Sequence, residues 1–277
     1  MLDDPFILSA LLASVLPLLV SVILTGPCGR WMGIRVAGLA ITVAFVVAHV
    51  AIFSWPPLPP RSSLQKLAYI APIGLLIGIL LEFTVVRVPY RRVALLWCAA
   101  ILVWIGWRQL IGLQLVDLAR LGAMWLAGAF VFDRLLVTRT QDVAAPTMLL
   151  VAGIGMSVIA FIDHAASLSQ LAAAVAAATG GFLLWNWPKT RYPFSIATLF
   201  GAGSAFVGVA SAIVLFTPAT VVALVILLGI FLLGSLRGRL AAAGPVWAPI
   251  LFGLVALVPM ALAVALAIFM SPPLKYY

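Results

Sequence analysis

Predominantly apolar runs of about 17–25 residues recur from one end of this chain to the other, and they limit its fold more than any other feature. A run of that length crosses the hydrocarbon core of a bilayer as an α-helix, since a helix satisfies its backbone N–H and C=O groups within itself. Ten runs can be marked: residues 5–25, 34–53, 67–86 and 93–107, a fifth ending near 132, then 148–162, 168–185 and 196–216, a ninth ending at 236, and 246–270. Ten helices of about 20 residues take up most of the 277 positions. Short connections use the rest, so residues 1–277 are expected to form a single polytopic membrane domain. The expected class is an all-α integral membrane protein of about ten transmembrane helices.

Composition agrees. Hydrophobic residues make up 65% of the chain and charged ones only 8%, against about 25% charged in soluble globular proteins. The first run is expected to be retained as a helix, because the MLDDP before it is acidic and no A-x-A-like cleavage site follows. Cys28 and Cys98 fall at different depths, which argues against a disulfide or a metal site.

The net charge of +9 is carried by basic residues in short loops. They form no stripe with interleaved aromatics, so a nucleic-acid partner is not expected. Their distribution speaks instead to orientation. With the N-terminus outside, the cytoplasmic connections hold Arg30, Arg35, Arg87, Arg91, Arg92, Arg134, Arg139, Lys189, Arg191, Arg237 and Arg239, 11 of the 16 basic residues. Arg61, Lys66, Arg108, Arg120 and Lys275 fall outside. The positive-inside rule then places both termini outside an inner (plasma) membrane, with basic loops against anionic headgroups on the cytoplasmic side. Trp31, Trp185, Trp187 and Trp247 at inner ends, and Trp55, Trp104, Trp107 and Tyr276-Tyr277 at outer ones, follow the aromatic-belt pattern.

Two proline-rich elbows stand out: SWPPLPPRSSLQK at 54–66 and NWPKTRYPFS at 186–195. Trp55-Pro56 and Trp187-Pro188 lie 132 residues apart, close to half the chain. A Pro-x-Ser follows in each, Pro60-Arg61-Ser62 and Pro193-Phe194-Ser195. An offset of this size aligns the second run with the seventh and the third with the eighth, and it divides the chain into halves 1–136 and 137–277. Five spans per half make the halves inverted, a plan that recurs in secondary transporters. Chance recurrence of Trp and Pro at helix ends is the other reading. Trp55 and Trp187 are expected at the headgroup level on opposite faces, with Pro56–Pro60 extended as a polyproline-like strut.

Few polar residues are available for chemistry. Glu82 is the acidic residue well inside a span and the first candidate for ion coupling; pairing with Arg87 or Arg91 is the structural alternative. His49, Asp163 and His164 fall near the same predicted ends and would suit a metal or proton relay if they converged; interfacial capping is the other account. Asp117 and Arg120, three apart, share a helical face and are expected to form an ion pair. Gly74 with Gly78, and Ser204 with Gly208, are small-residue faces that allow close helix approach. No hydrolase, phosphate-loop or dinucleotide signature is present. The leading functional expectation is therefore a carrier of a small or amphipathic solute, without cofactor or catalytic residue. A non-catalytic membrane subunit or scaffold with protein partners is the alternative, and an intramembrane lipid-acting enzyme the third.

Overall fold

The computed structural model describes residues 5–84, 88–111, 115–141, 143–217 and 221–271. Residues 1–4, Arg87, residues 112–114 of the 109–116 connector, and the tail with Lys275 and Tyr276-Tyr277 lie outside the described residues. Among those described there are helices and no strands. They are α1 (Pro5–Pro27), α2 (Leu39–Phe53), α3 (Ser63–Phe83), α4 (Tyr90–Leu110), α5 (Leu115–Thr138), α6 (Ala144–Ile162), α7 (Ala166–Trp185), α8 (Ile196–Phe216), α9 (Val221–Leu227), α10 (Arg237–Leu240) and α11 (Gly244–Met270). A 3-10 stretch, Leu228–Leu236, joins α9 to α10, and the three make one span, Val221–Leu240. Counted so, ten helices are long and apolar enough to cross a membrane. Leu80, Leu96 and Phe269 are 68%, 73% and 88% exposed. An apolar surface of this extent suits a lipid solvent and would aggregate in water.

The polar stretch 133–147, which reads as a loop, is mostly helix. α5 continues to Thr138 and α6 begins at Ala144. Asp133 and Arg139 find partners on α4, and Arg134 packs on a ring of its own helix. Arg91 Nε lies 2.7 Å from Asp133 Oδ1. Arg134 sits over the Phe130 ring and Arg139 over the Tyr90 ring. α3 likewise starts a turn earlier than its apolar run, because Ser62 and Gln65 close a capping box: the Ser62 hydroxyl accepts from the Gln65 N–H, and the Gln65 side chain accepts from the Ser62 N–H.

α8 is the centre of the fold. Of its 21 residues, 17 are buried, and α2, α3, α4, α5 and α7 all pack on it. Its closest partner is α3, through glycine. A methyl group built on Gly78 would lie 2.7 Å from the Ala197 Cα and 2.9 Å from the Ile196 carbonyl oxygen. Gly74 is pressed against Ser204 and the Phe200 carbonyl in the same way. The second helix pair, α6 with α7, closes on Gly153, whose added methyl would meet Ala176 at 3.0 Å.

The elbows fall at opposite ends of this bundle. Ser62 caps the start of α3, and Ser195 caps the start of α8, its hydroxyl accepting from the Thr198 N–H at 3.1 Å. Because the far end of α3 meets the start of α8, through Glu82 and Ile196, the two starts are separated by the length of α3, about 30 Å. An odd number of spans between the elbows requires this with or without a repeat. Trp55 and Trp187 are both exposed. The 56–60 segment bends at Leu58 and Pro59, so it is not the straight strut expected; Tyr69 holds it down by donating to the Pro56 carbonyl at 2.8 Å.

Gly78→Ala should destabilise the fold by about 1–3 kcal/mol, because both atoms it meets are backbone and cannot turn aside. Gly122→Ala, which meets nothing, should be neutral or slightly stabilising. Thermal unfolding of both variants in the same detergent tests this, and equal melting points would refute the tight α3–α8 contact.

Candidate functional site

Glu82 lies on the last turn of α3 and points at the start of α8. Its Oε2 accepts the Ile196 N–H at 2.8 Å, and Arg35 Nε stands 3.9 Å from Oε1. With Ser195 taking the Thr198 N–H, two of the four amides left open at the α8 N-terminus are satisfied. One of them is satisfied by a carboxylate from another helix, at the positive end of the helix dipole. The expected partner Arg91 is instead bound to Asp133. The apolar run places Glu82 well inside a span, whereas α3 ends at Phe83 and Glu82 serves as a cap supplied by a different helix.

His49 is fully buried at the C-terminal end of α2 and packs on Phe53. Its Nε2 is 2.9 Å from the Leu64 carbonyl oxygen, so Nε2 carries the proton and donates. The imidazole thus ties the end of α2 to the start of α3 across the first elbow. His164 does different work. It is exposed at φ 59° just after α6, with its N–H on the Phe161 carbonyl and the Ala165 N–H on the Ala160 carbonyl. That is a Schellman stop with histidine in the left-handed position usually held by glycine. Asp163 is the residue between α6 and this stop. His49, Asp163 and His164 are not gathered into a group able to hold a metal ion, and no such group occurs among the described residues.

Arg120 does not pair with Asp117. Its guanidinium reaches across to α8 and donates to the Val214 carbonyl, one of the last four carbonyls of that helix, which lack partners within it. This places a cation at the mouth of an apolar cavity of about 150 Å³ between α5, α8 and the α9 span. On the α5 wall Ala123, Met124, Ala127, Gly128 and Val131 line it at helical spacing, and Met124 is the one long apolar side chain among them. Phe206, Val207 and Ser211 come from α8, and Leu228 and Phe231 from the opposite wall. Arg120 and Ser211 are the polar side chains lining it. From Arg120 to Val131 the cavity follows α5 for about 16 Å, half the depth of a bilayer core. Its far wall includes the start of the 3-10 stretch, and 3-10 geometry persisting for nine residues inside a helical span is uncommon and often marks a functional hinge.

Sequence reasoning reaches Arg120 but not the cavity. The α5 stripe of small residues is visible as a signal, yet it reads equally as a packing face. Compared with known protein families and with curated proteins, the sequence matches none.

Two substitutions separate these roles by stability. Glu82→Ala should lower the unfolding free energy by about 0.5–2 kcal/mol, the usual range for a lost helix cap, and Glu82→Gln, which keeps an acceptor oxygen, by less. His164→Gly should raise the melting temperature, because glycine relieves the left-handed backbone that costs other residues about 1 kcal/mol. Melting curves of the purified variants check both, and a destabilised His164→Gly would show that the imidazole has a role beyond the turn.

Proposed function

We propose that this protein is a carrier of an amphipathic solute in the inner membrane, with both termini outside, and that the cavity between α5, α8 and the α9 span is its binding site. The observation that carries the reading is the cavity's build: an apolar slot to mid-depth with one arginine and one serine. An apolar tail fits the slot, and a polar or anionic head fits the guanidinium, which has five N–H donors and uses one on Val214. The 3-10 wall is the element able to move, since conversion to α-helix would rotate and shorten it. Glu82 is not the coupling residue in this reading; its oxygens hold α8 to α3.

A pseudo-twofold relation between the halves is part of the proposal. In support, Ser62 and Ser195 cap the two aligned helices, α3 and α8 pack on each other, and so do α2 and α7. The pairs α2–α3 and α7–α8, and α4–α5 and α9–α11, are also in contact. The scaffold reading has its own support in the closely packed α3–α8 and α6–α7 contacts. The lipid-acting enzyme is disfavoured because Glu82 is engaged by the Ile196 amide and His49, Asp163 and His164 are not gathered into one group.

The deciding experiment uses the full chain in proteoliposomes with a photoreactive, radiolabelled alkyl carboxylate. Flux above protein-free vesicles, with label on the peptide containing Met124 and Ala127, is the expected result. Ala127→Trp should fill the slot and abolish both while leaving the melting temperature within a few degrees. Neither flux nor labelling of the wild type would leave the scaffold as the better account.

A further inference from the structure

A second pocket, independent of the cavity just described, lies at the other end of α5. It is open, about 330 Å³, and sits between the first turn of α4 and the last turn of α5, with Pro89, Tyr90 and Arg91 on one side and Leu136, Val137 and Arg139 on the other. Three features of it converge on one kind of ligand. The α4 N-terminus carries no side-chain cap: its N-cap is Pro89, which has no hydroxyl or carboxylate to offer. The Pro89 carbonyl accepts from the Arg92 and Val93 amides, which leaves the N–H groups of Tyr90 and Arg91 without a partner in the helix. Uncapped amides at the positive end of a 21-residue helix attract an anion.

The second feature is Arg139, whose guanidinium lies 5.8 Å from the centre of the Tyr90 ring. Packing over an aromatic face leaves the in-plane N–H donors of the guanidinium free and limits its motion, the preparation that a two-pronged grip on a phosphate needs. The third is Arg91, fixed through Nε by Asp133 at 2.7 Å, with its two terminal nitrogens left to donate. The Asp133 carboxylate offsets the charge of Arg91, so among the described lining residues the surplus positive charge is that of Arg139 and the helix end. Beside these polar groups stand Leu136, half-buried, and Val137, 44% exposed on the outer surface of the bundle. An isolated phosphate would have no use for that apolar rim.

We infer that this pocket binds the phosphate headgroup of an anionic phospholipid, with the Arg139 fork and the α4 amides on the phosphate and the acyl chains descending past Leu136 and Val137. Arginines that only set topology need neither a pocket nor an aromatic shelf. The site is distinct in position and chemistry from the proposed solute cavity, and it stands whether or not the chain is a carrier.

The test is a lipid titration of the full chain, delipidated in a neutral detergent and followed by thermal shift and native mass spectrometry. Phosphatidylglycerol should raise the melting temperature and stay bound in the mass spectrometer, whereas phosphatidylcholine should do neither. Arg139→Gln should weaken phosphatidylglycerol binding by about tenfold, the effect of losing one charge-assisted pair. Arg139→Lys should recover only part of it, because an ammonium keeps the charge and loses the fork. Arg30→Gln, at an exposed arginine in the α1–α2 connection, should leave binding unchanged. Equal losses in Arg30→Gln and Arg139→Gln would reduce the effect to general attraction and overturn the site. Equal stabilisation by phosphatidylcholine would overturn it as well, and equal stabilisation by inorganic phosphate alone would overturn its assignment to a lipid.

Discussion

The close approach of α3 to α8 is the contact on which the rest of the structure depends. Gly74 and Gly78 bring the α3 backbone against Phe200, Ser204, Ala197 and Ile196. Where the surroundings are as apolar as the helices, burying a leucine gains little over leaving it in lipid, and association rests on close packing and a few hydrogen bonds. Glycine supplies the first. The second is Glu82 on the Ile196 amide at one end and, in mid-span, Trp97 of α4 donating to the Ser204 hydroxyl at 2.7 Å. With α8 locked to α3 and α4, the remaining helices are arranged around it.

Several polar side chains in this chain serve the ends of helices. Ser62 and Ser195 cap starts, Glu82 caps a start from outside, and Arg120 caps an end from outside. Each of these bonds satisfies a backbone group that a helix end leaves open. Caps that reach between helices also fix which ends lie together, so they specify the tertiary arrangement while completing the secondary one. The cavity below Arg120 and the pocket at the start of α4 lie at two of these ends, and the α4 start lacks a side-chain cap, as do those of α2, α6, α7 and α11. The functional readings rest on this cavity and this pocket.

The number of spans, most of their boundaries and the positions of the turns are legible in the sequence, because a bilayer demands long apolar runs and Pro, Gly and charge punctuate them. One boundary shifted where a side chain found a partner on a neighbouring helix, and the start of α3 shifted where a local capping box closes. Asp133 looks like a loop residue until Arg91 of α4 is brought beside it. His164 looks like a candidate ligand until its backbone angle makes it a helix stop. Asp117 and Arg120 have helical spacing suited to a pair, yet a carbonyl at the end of α8 takes the guanidinium instead.

What the sequence alone determined, then, is an all-helical chain with ten segments of spanning length and scarce interior polarity. It could not determine which helix faces meet. In water the contrast between apolar and polar faces reveals the buried side; here the exposed and buried faces are both apolar, and the periodic signal that would assign partners is nearly absent. The tertiary structure alone decided that α3 meets α8, that Glu82 is a cap, that Arg120 stands over an apolar slot and that Arg139 lies on Tyr90. Those outcomes depend on shape complementarity between helices far apart in the chain, and shape at that distance is not written in any local run of residues.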